Sequence, residues 1–78
     1  MPTVTIRLFA QLRQAKGAET LTVDVVQGAT LRQVYDQLFD GPLQALPIAF
    51  ARNHTYAKGS DAVVDGDNIA FLPPVGGG

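Results

Sequence analysis

The sequence predicts an α+β domain in which a mixed sheet of four to five strands wraps around one main helix. Three observations carry this expectation. Apolar and polar residues alternate over residues 3–8 and again along 20–26 up to Val25. A single apolar stripe of helical period follows the second of these segments. Further strand-like segments then occupy 48–52, 56–58 and 68–72, all within 78 residues.

The first strand places Val4, Ile6 and Leu8 on one face and Thr3, Thr5 and Arg7 on the other. Phe9 breaks the pattern, because its parity puts an aromatic ring on the polar side. Residues 10–16 are rich in helix formers and stop at Gly17. Residues 20–26 form the second strand, with Leu21, Val23 and Val25 as its core face. The short return from the first strand predicts an antiparallel pair. After the turn Gln27-Gly28-Ala29, Thr30 stands as a helix N-cap, and Gln33 completes a capping box. Leu31, Val34, Tyr35 and Leu38 then recur at i, i+3, i+4 and i+7, one stripe able to lie across a sheet. Asp40-Gly41-Pro42 ends this helix, and residues 41–47 connect it to the later strands. Asn53-His54 and Val64-Asp65-Gly66-Asp67 are turns. Pro73 and Pro74 end the last strand, since proline has no N–H for the ladder. The expected division is a domain over residues 1–72 and a flexible tail over 73–78.

Composition narrows the function. The formal net charge is −1, so nothing favours nucleic acid or an anionic membrane as a partner. The chain has no cysteine, which removes a thiolate nucleophile, a cysteine zinc site and any disulfide. No apolar run approaches the roughly 20 residues of a membrane span. The N-terminal residues lack the basic and apolar regions of a signal peptide, so the expected location is the cytoplasm.

The strongest functional signal is the end, Pro73-Pro74-Val75-Gly76-Gly77-Gly78. Paired prolines favour a stiff, extended start. Gly76 and Gly77 then leave no side chain beside the terminal carboxylate of Gly78, so the backbone can thread a channel too narrow for a Cβ. A carboxylate is ionised at neutral pH and is a poor acyl donor. It needs activation before sulfur or an amine can attack. The chain has no phosphate-binding loop of the Walker type, which implies an ATP-using partner. The bland alternative is a frayed terminus of small residues.

These residues resemble a known family. Leu8-Phe9-Ala10-Gln11-Leu12-Arg13, Asp65-Gly66-Asp67 and above all Ala70-Phe71-Leu72-Pro73-Pro74-Val75-Gly76-Gly77-Gly78 are similar to the molybdopterin synthase small subunits, which are MoaD/ThiS-like, ubiquitin-like sulfur carriers. The resemblance runs over nearly the whole chain and implies the β-grasp fold. It implies that an E1-like enzyme adenylates Gly78 with ATP and that a sulfur donor converts the adenylate to a thiocarboxylate. The loaded tail would then enter the large subunit of molybdopterin synthase, where its sulfur attacks a pterin precursor. The catalytic residues are expected on that large subunit, no bound cofactor or metal is expected on this chain, and the implied assembly is a heterotetramer.

In a β-grasp the first and last strands are neighbours. With Ile69 and Phe71 facing the core, Leu72 faces out on the side of Phe9. The expectation is an exposed apolar patch of Phe9 and Leu72, extended by Pro73, Pro74 and Val75 at the tail root, that binds partners. The opposing expectation has Phe9 packed inward under the first helix. His54, the one histidine, fits a solvated turn residue better than a ligand. Asp61, Asp65 and Asp67 lack the spacing of a calcium loop and fit a turn with outward carboxylates. Tyr35 fits helix-face core. Competing functions are a thiamin-thiazole carrier, a carrier for other sulfur metabolites, a protein modifier joined through Gly78 to lysines, and a plain interaction module with a passive tail.

Overall fold

Strand β1, Thr3–Leu8, buries Val4, Ile6 and Leu8 and leaves Arg7 exposed, as the alternation requires. The structure is a computed structural model that describes residues 1–74. Helix α1 (Ala10–Lys16) follows, then β2 (Thr20–Asp24), α2 (Leu31–Leu38), a 3-10 helix over Gly41–Ala45, β3 (Ala49–Arg52), β4 (Thr55–Ala57) and β5 (Asn68–Leu72). The strand order is β2-β1-β5-β3-β4. β1 runs antiparallel to β2 and parallel to β5, and β3 runs antiparallel to both β4 and β5. This five-stranded mixed sheet wrapped on α2 is the β-grasp fold. No described helix is long and apolar enough to cross a membrane.

The core lies between one face of the sheet and α2. Leu31, Val34 and Tyr35 of the helical stripe are fully buried, and Leu38 is half-buried. Tyr35 stacks on Phe39 with ring centroids 4.8 Å apart and meets Phe71 edge-on at 5.1 Å. Phe50 meets Phe71 edge-on at 5.6 Å. Offset and edge-to-face contacts of this kind add to plain area burial. The Tyr35 hydroxyl donates to the Leu43 carbonyl, so this buried phenol is satisfied.

The four N–H groups at the start of α2 all find acceptors. Leu31 donates to the Asp61 carbonyl and Arg32 to the Gly59 carbonyl. Gln33 donates to the Thr30 hydroxyl, while the Gln33 side chain accepts from Thr30 N–H, the expected capping box. Val34 then donates to the Thr30 carbonyl, the first i→i−4 bond of the helix itself. The helix start is thus closed by the 59–61 loop rather than left open to a ligand. Gly59 is needed there, because a Cβ on it would come within 3.1 Å of the Phe50 ring and 3.3 Å of the Arg32 Cβ.

The connector over residues 41–47 is not irregular. It contains the 3-10 helix, with Pro42 near its start, where a missing N–H costs nothing. Arg32 Nη2 donates to the Gln44 carbonyl, and Gln44 Nε2 donates to the Phe39 carbonyl at 2.8 Å. Other bounds shift slightly. The second strand ends at Asp24 instead of Val26, and Val26 is exposed. The third begins at Ala49, and β4 spans Thr55–Ala57 rather than 56–58.

Asp67 departs from the sequence expectation of outward carboxylates. It is buried, and its carboxylate accepts from Val64 N–H at 2.8 Å and from Asn53 Nδ2 at 3.2 Å. Arg52 Nε lies 3.9 Å away. The acid turns inward because the 64–67 turn aims an otherwise unpaired N–H at it. Asp65 and Asp61 also serve the backbone, accepting from Thr3 N–H and Lys58 N–H.

Candidate functional site: the outer face of the sheet

The face of the sheet turned away from α2 carries the candidate site. Its pattern follows from strand register. In the β1–β5 ladder Arg7 lies opposite Ala70. Ala70 lies opposite Ala51 across β5–β3, and Ala51 opposite Tyr56 across β3–β4. A row of Arg7, Ala70, Ala51 and Tyr56 therefore crosses four strands. Leu72, two residues beyond Ala70, shares that face and lies opposite Ala49. The two alanines form a low floor between taller side chains.

Phe9 reaches this face through the bend after β1. Its backbone is still extended, with φ −131° and ψ 153°. Ala10 then takes φ 49°, in the left-handed region, and starts α1. The Phe9 carbonyl accepts from Leu12 N–H at 3.0 Å, and Leu12 is fully buried. Leu12 thus takes the place under α1, and the Phe9 ring stays on the outer face. Phe9 and Leu72 are half-buried rather than fully exposed. They line one groove of about 330 Å³ together with Arg7, Ala51, His54, Tyr56, Asn68 and Ala70. The Arg7 guanidinium lies 5.6 Å from the centre of the Phe9 ring, within cation–π range.

Sequence reasoning missed part of this groove. Tyr56 is 79 % exposed and stands at its far wall. Its position on a short edge strand gave no functional signal. Ala51 and Ala70 were missed because the significance of alanine there is its small size beside tall neighbours, which only the register reveals. His54 sits in the two-residue turn joining β3 to β4. Asn53 and His54 take φ 52° and 70°, as such tight hairpins require. The turn brings His54 to the groove, away from any cluster of metal-ligating side chains among the described residues.

β5 runs directly from this groove toward the tail. Leu72 is its last residue, Pro73 is half-buried and Pro74 exposed. Val75, Gly76, Gly77 and Gly78, the rest of the expected site, lie outside the described residues. The groove itself holds no arrangement of acid, base and nucleophile. What it offers is an apolar hollow with a cation at its rim, next to the strand that leads to the tail.

A five-stranded β-grasp sheet with an apolar outer groove beside its last strand defines a ubiquitin-like protein. The ThiS family model matches residues 6–78, and the chain belongs to that family. It is similar to the molybdopterin synthase sulfur carrier subunit of Arabidopsis thaliana, with 29 % identity over 79 residues covering 96 % of this chain and 82 % of that protein. The crystal structure of Haloferax volcanii small archaeal modifier protein 1 superposes with a TM-score of 0.81 at 30 % identity, covering 96 % of this chain and all of that one. A chain in the complex of subunits 1 and 2 of the molybdopterin-converting factor of Helicobacter pylori superposes with a TM-score of 0.62 at 26 % identity, covering 97 % and 99 %. The relatives thus include both sulfur carriers and modifiers.

Proposed function

We propose that this chain is a sulfur carrier in molybdopterin biosynthesis, with the Gly78 carboxylate as the group that bears the sulfur. An E1-like enzyme would join the Gly78 carboxylate to the α-phosphate of ATP, releasing pyrophosphate. Attack at the acyl carbon by sulfide-level sulfur (HS−) from a donor would then form the C–S bond, break the bond to AMP and leave a thiocarboxylate. Gly76 and Gly77 would let this end thread into the large subunit of molybdopterin synthase, where the sulfur passes to a pterin precursor. The acid–base groups for that transfer are expected on the large subunit. ATP serves the activating partner rather than this chain, and the setting is cytoplasmic.

One observation carries the reading. The outer groove of Phe9 and Leu72 adjoins the point where β5 gives way to Pro73 and Pro74, so a partner that grips the groove receives the tail root in a fixed place. The family match through residue 78 and the Helicobacter pylori two-subunit complex support it. Residues 1–72 would then form the gripped body and 73–78 the delivered tail.

A second reading, as a protein modifier joined through Gly78 to lysine amines, is favoured by the likeness to the archaeal modifier, 34 % identical over 85 residues. Deletion of the gene separates them. Loss of molybdoenzyme activity, restored by the full chain but not by a chain lacking Gly77 and Gly78, is the expected result. A thiamin requirement, or loss of lysine-linked conjugates with molybdoenzymes intact, would overturn the molybdopterin assignment.

A further inference from the structure

We propose that Arg7 is a specificity-determining residue of the outer groove, selecting on the large subunit a segment that places a carboxylate beside an apolar side chain. The proposal rests on the reading above that the Phe9–Leu72 face meets that subunit, and it adds the chemistry of the matching surface.

The argument starts from what surrounds Arg7. It is exposed at the middle of the sheet, and its cross-strand neighbours are Thr20 on one side and Ala70 on the other, both uncharged. The ion pairs among the described residues are Arg32–Asp36 and Arg52–Asp67, and Arg7 takes part in neither. The other polar residues lining the groove are His54, Tyr56 and Asn68, and no carboxylate lines it. The chain as a whole carries a net charge of −1, so this positive rim is a local feature and not the overall balance.

Arg7 also has an aromatic neighbour. Its guanidinium lies over the Phe9 ring, 5.6 Å from the centroid, within cation–π range, so the cation sits beside the apolar groove. A guanidinium at this position is suited to grip a carboxylate through two parallel hydrogen bonds, which a lysine cannot reproduce. The low floor of Ala51 and Ala70 lies next to it in the same cross-strand row. An apolar side chain seated on that floor brings a neighbouring acid into reach of Arg7. A basic or neutral segment leaves the cation unpaired at a drying interface, which disfavours the wrong partner.

The test follows association of the full chain with its cognate molybdopterin synthase large subunit, from low salt to about 1 M, where the screening length falls to about 3 Å. The variants are Arg7→Glu, Arg7→Met and Arg7→Lys, with Phe9→Asp and Leu72→Asp as interface controls and thermal melts as folding controls. The expected result is association slowed on the order of tenfold by Arg7→Glu at low salt, less by Arg7→Met and least by Arg7→Lys, with the differences closing in high salt. A purely structural role would not produce that salt dependence. If Arg7→Glu melts early, the salt profile of Arg7→Met decides. Arg7 variants that associate like the parent, or faster, while Phe9→Asp loses binding, would overturn the charge assignment and leave the interface standing. Full binding by both Phe9→Asp and Leu72→Asp would overturn the two together.

Discussion

Leu8 lies opposite Phe71 in the parallel β1–β5 ladder, and both side chains are fully buried. That one register decides the outer face as well. The residue after each, Phe9 at the end of β1 and Leu72 on β5, turns the other way, and the two line one groove. A core contact thus positions the surface expected to meet a partner.

Phe9→Asp and Leu72→Asp should therefore separate binding from folding. Both residues are half-buried on the outer face, outside the main core. Each variant is expected to melt near the parent while weakening the large-subunit complex by about 30-fold or more, as loss of an apolar anchor does. Calorimetric titration beside thermal melts measures both. A large fall in melting temperature would mean that these side chains support the fold instead.

Asp67→Ala tests the inward carboxylate. The substitution leaves Val64 N–H and Asn53 Nδ2 without their acceptor and Arg52 without its anion. The expected loss is about 2–3 kcal/mol by urea unfolding. A loss under about 0.5 kcal/mol would match an ordinary surface turn.

Tyr35 links the fold to alkaline pH. Burial raises its phenol above the ordinary value of 10.0, Arg32 opposing and Asp36 adding to the effect. The phenol ionises more easily in the unfolded chain, so the unfolded state loses its proton first. This contribution to stability is whole below pH 10 and is lost as pH rises through the raised folded value. Tyr35→Phe removes the bond to the Leu43 carbonyl and should cost about 1 kcal/mol at neutral pH. It should also flatten the decline above pH 10, which denaturation at several pH values would show.

Ala10 holds a left-handed φ of 49° at the bend that keeps Phe9 on the outer face. A residue with a Cβ pays roughly 1–2 kcal/mol there. Relief of that strain is offset by the greater freedom of glycine in the unfolded chain. Ala10→Gly is expected to leave stability unchanged or raise it by up to about 1 kcal/mol, and Ala10→Val to lower it. A clear loss for Ala10→Gly in denaturant titrations would contradict this account of the bend.

Much of this fold was legible because it rests on local rules. The alternation around Ile6, the Thr30–Gln33 box and the stop at Gly17 each declare themselves within a few residues, and the structure places them as read. Phe9 was legible as an anomaly of parity. The Asp67 network was not, because turn chemistry shows that a chain reverses but not which N–H a carboxylate will meet. The 3-10 helix over Gly41–Ala45 was hidden for a related reason, as its bonds to Arg32 and Tyr35 come from the neighbouring helix. Tyr56, Ala51 and Ala70 became a site only through the ladders that align β3, β4 and β5. The tail glycines were the plainest signal in the sequence, and the role proposed for them rests on chemistry rather than on packing.

The measurement that tests the central claim most directly is the intact mass of the full chain after incubation with an E1-like enzyme, ATP and a sulfur source. Exchange of one oxygen for one sulfur, abolished when Gly78 is deleted, is the predicted result. An unchanged mass, from an activating enzyme shown to load another carrier, would contradict the assignment of Gly78 as the sulfur-bearing end.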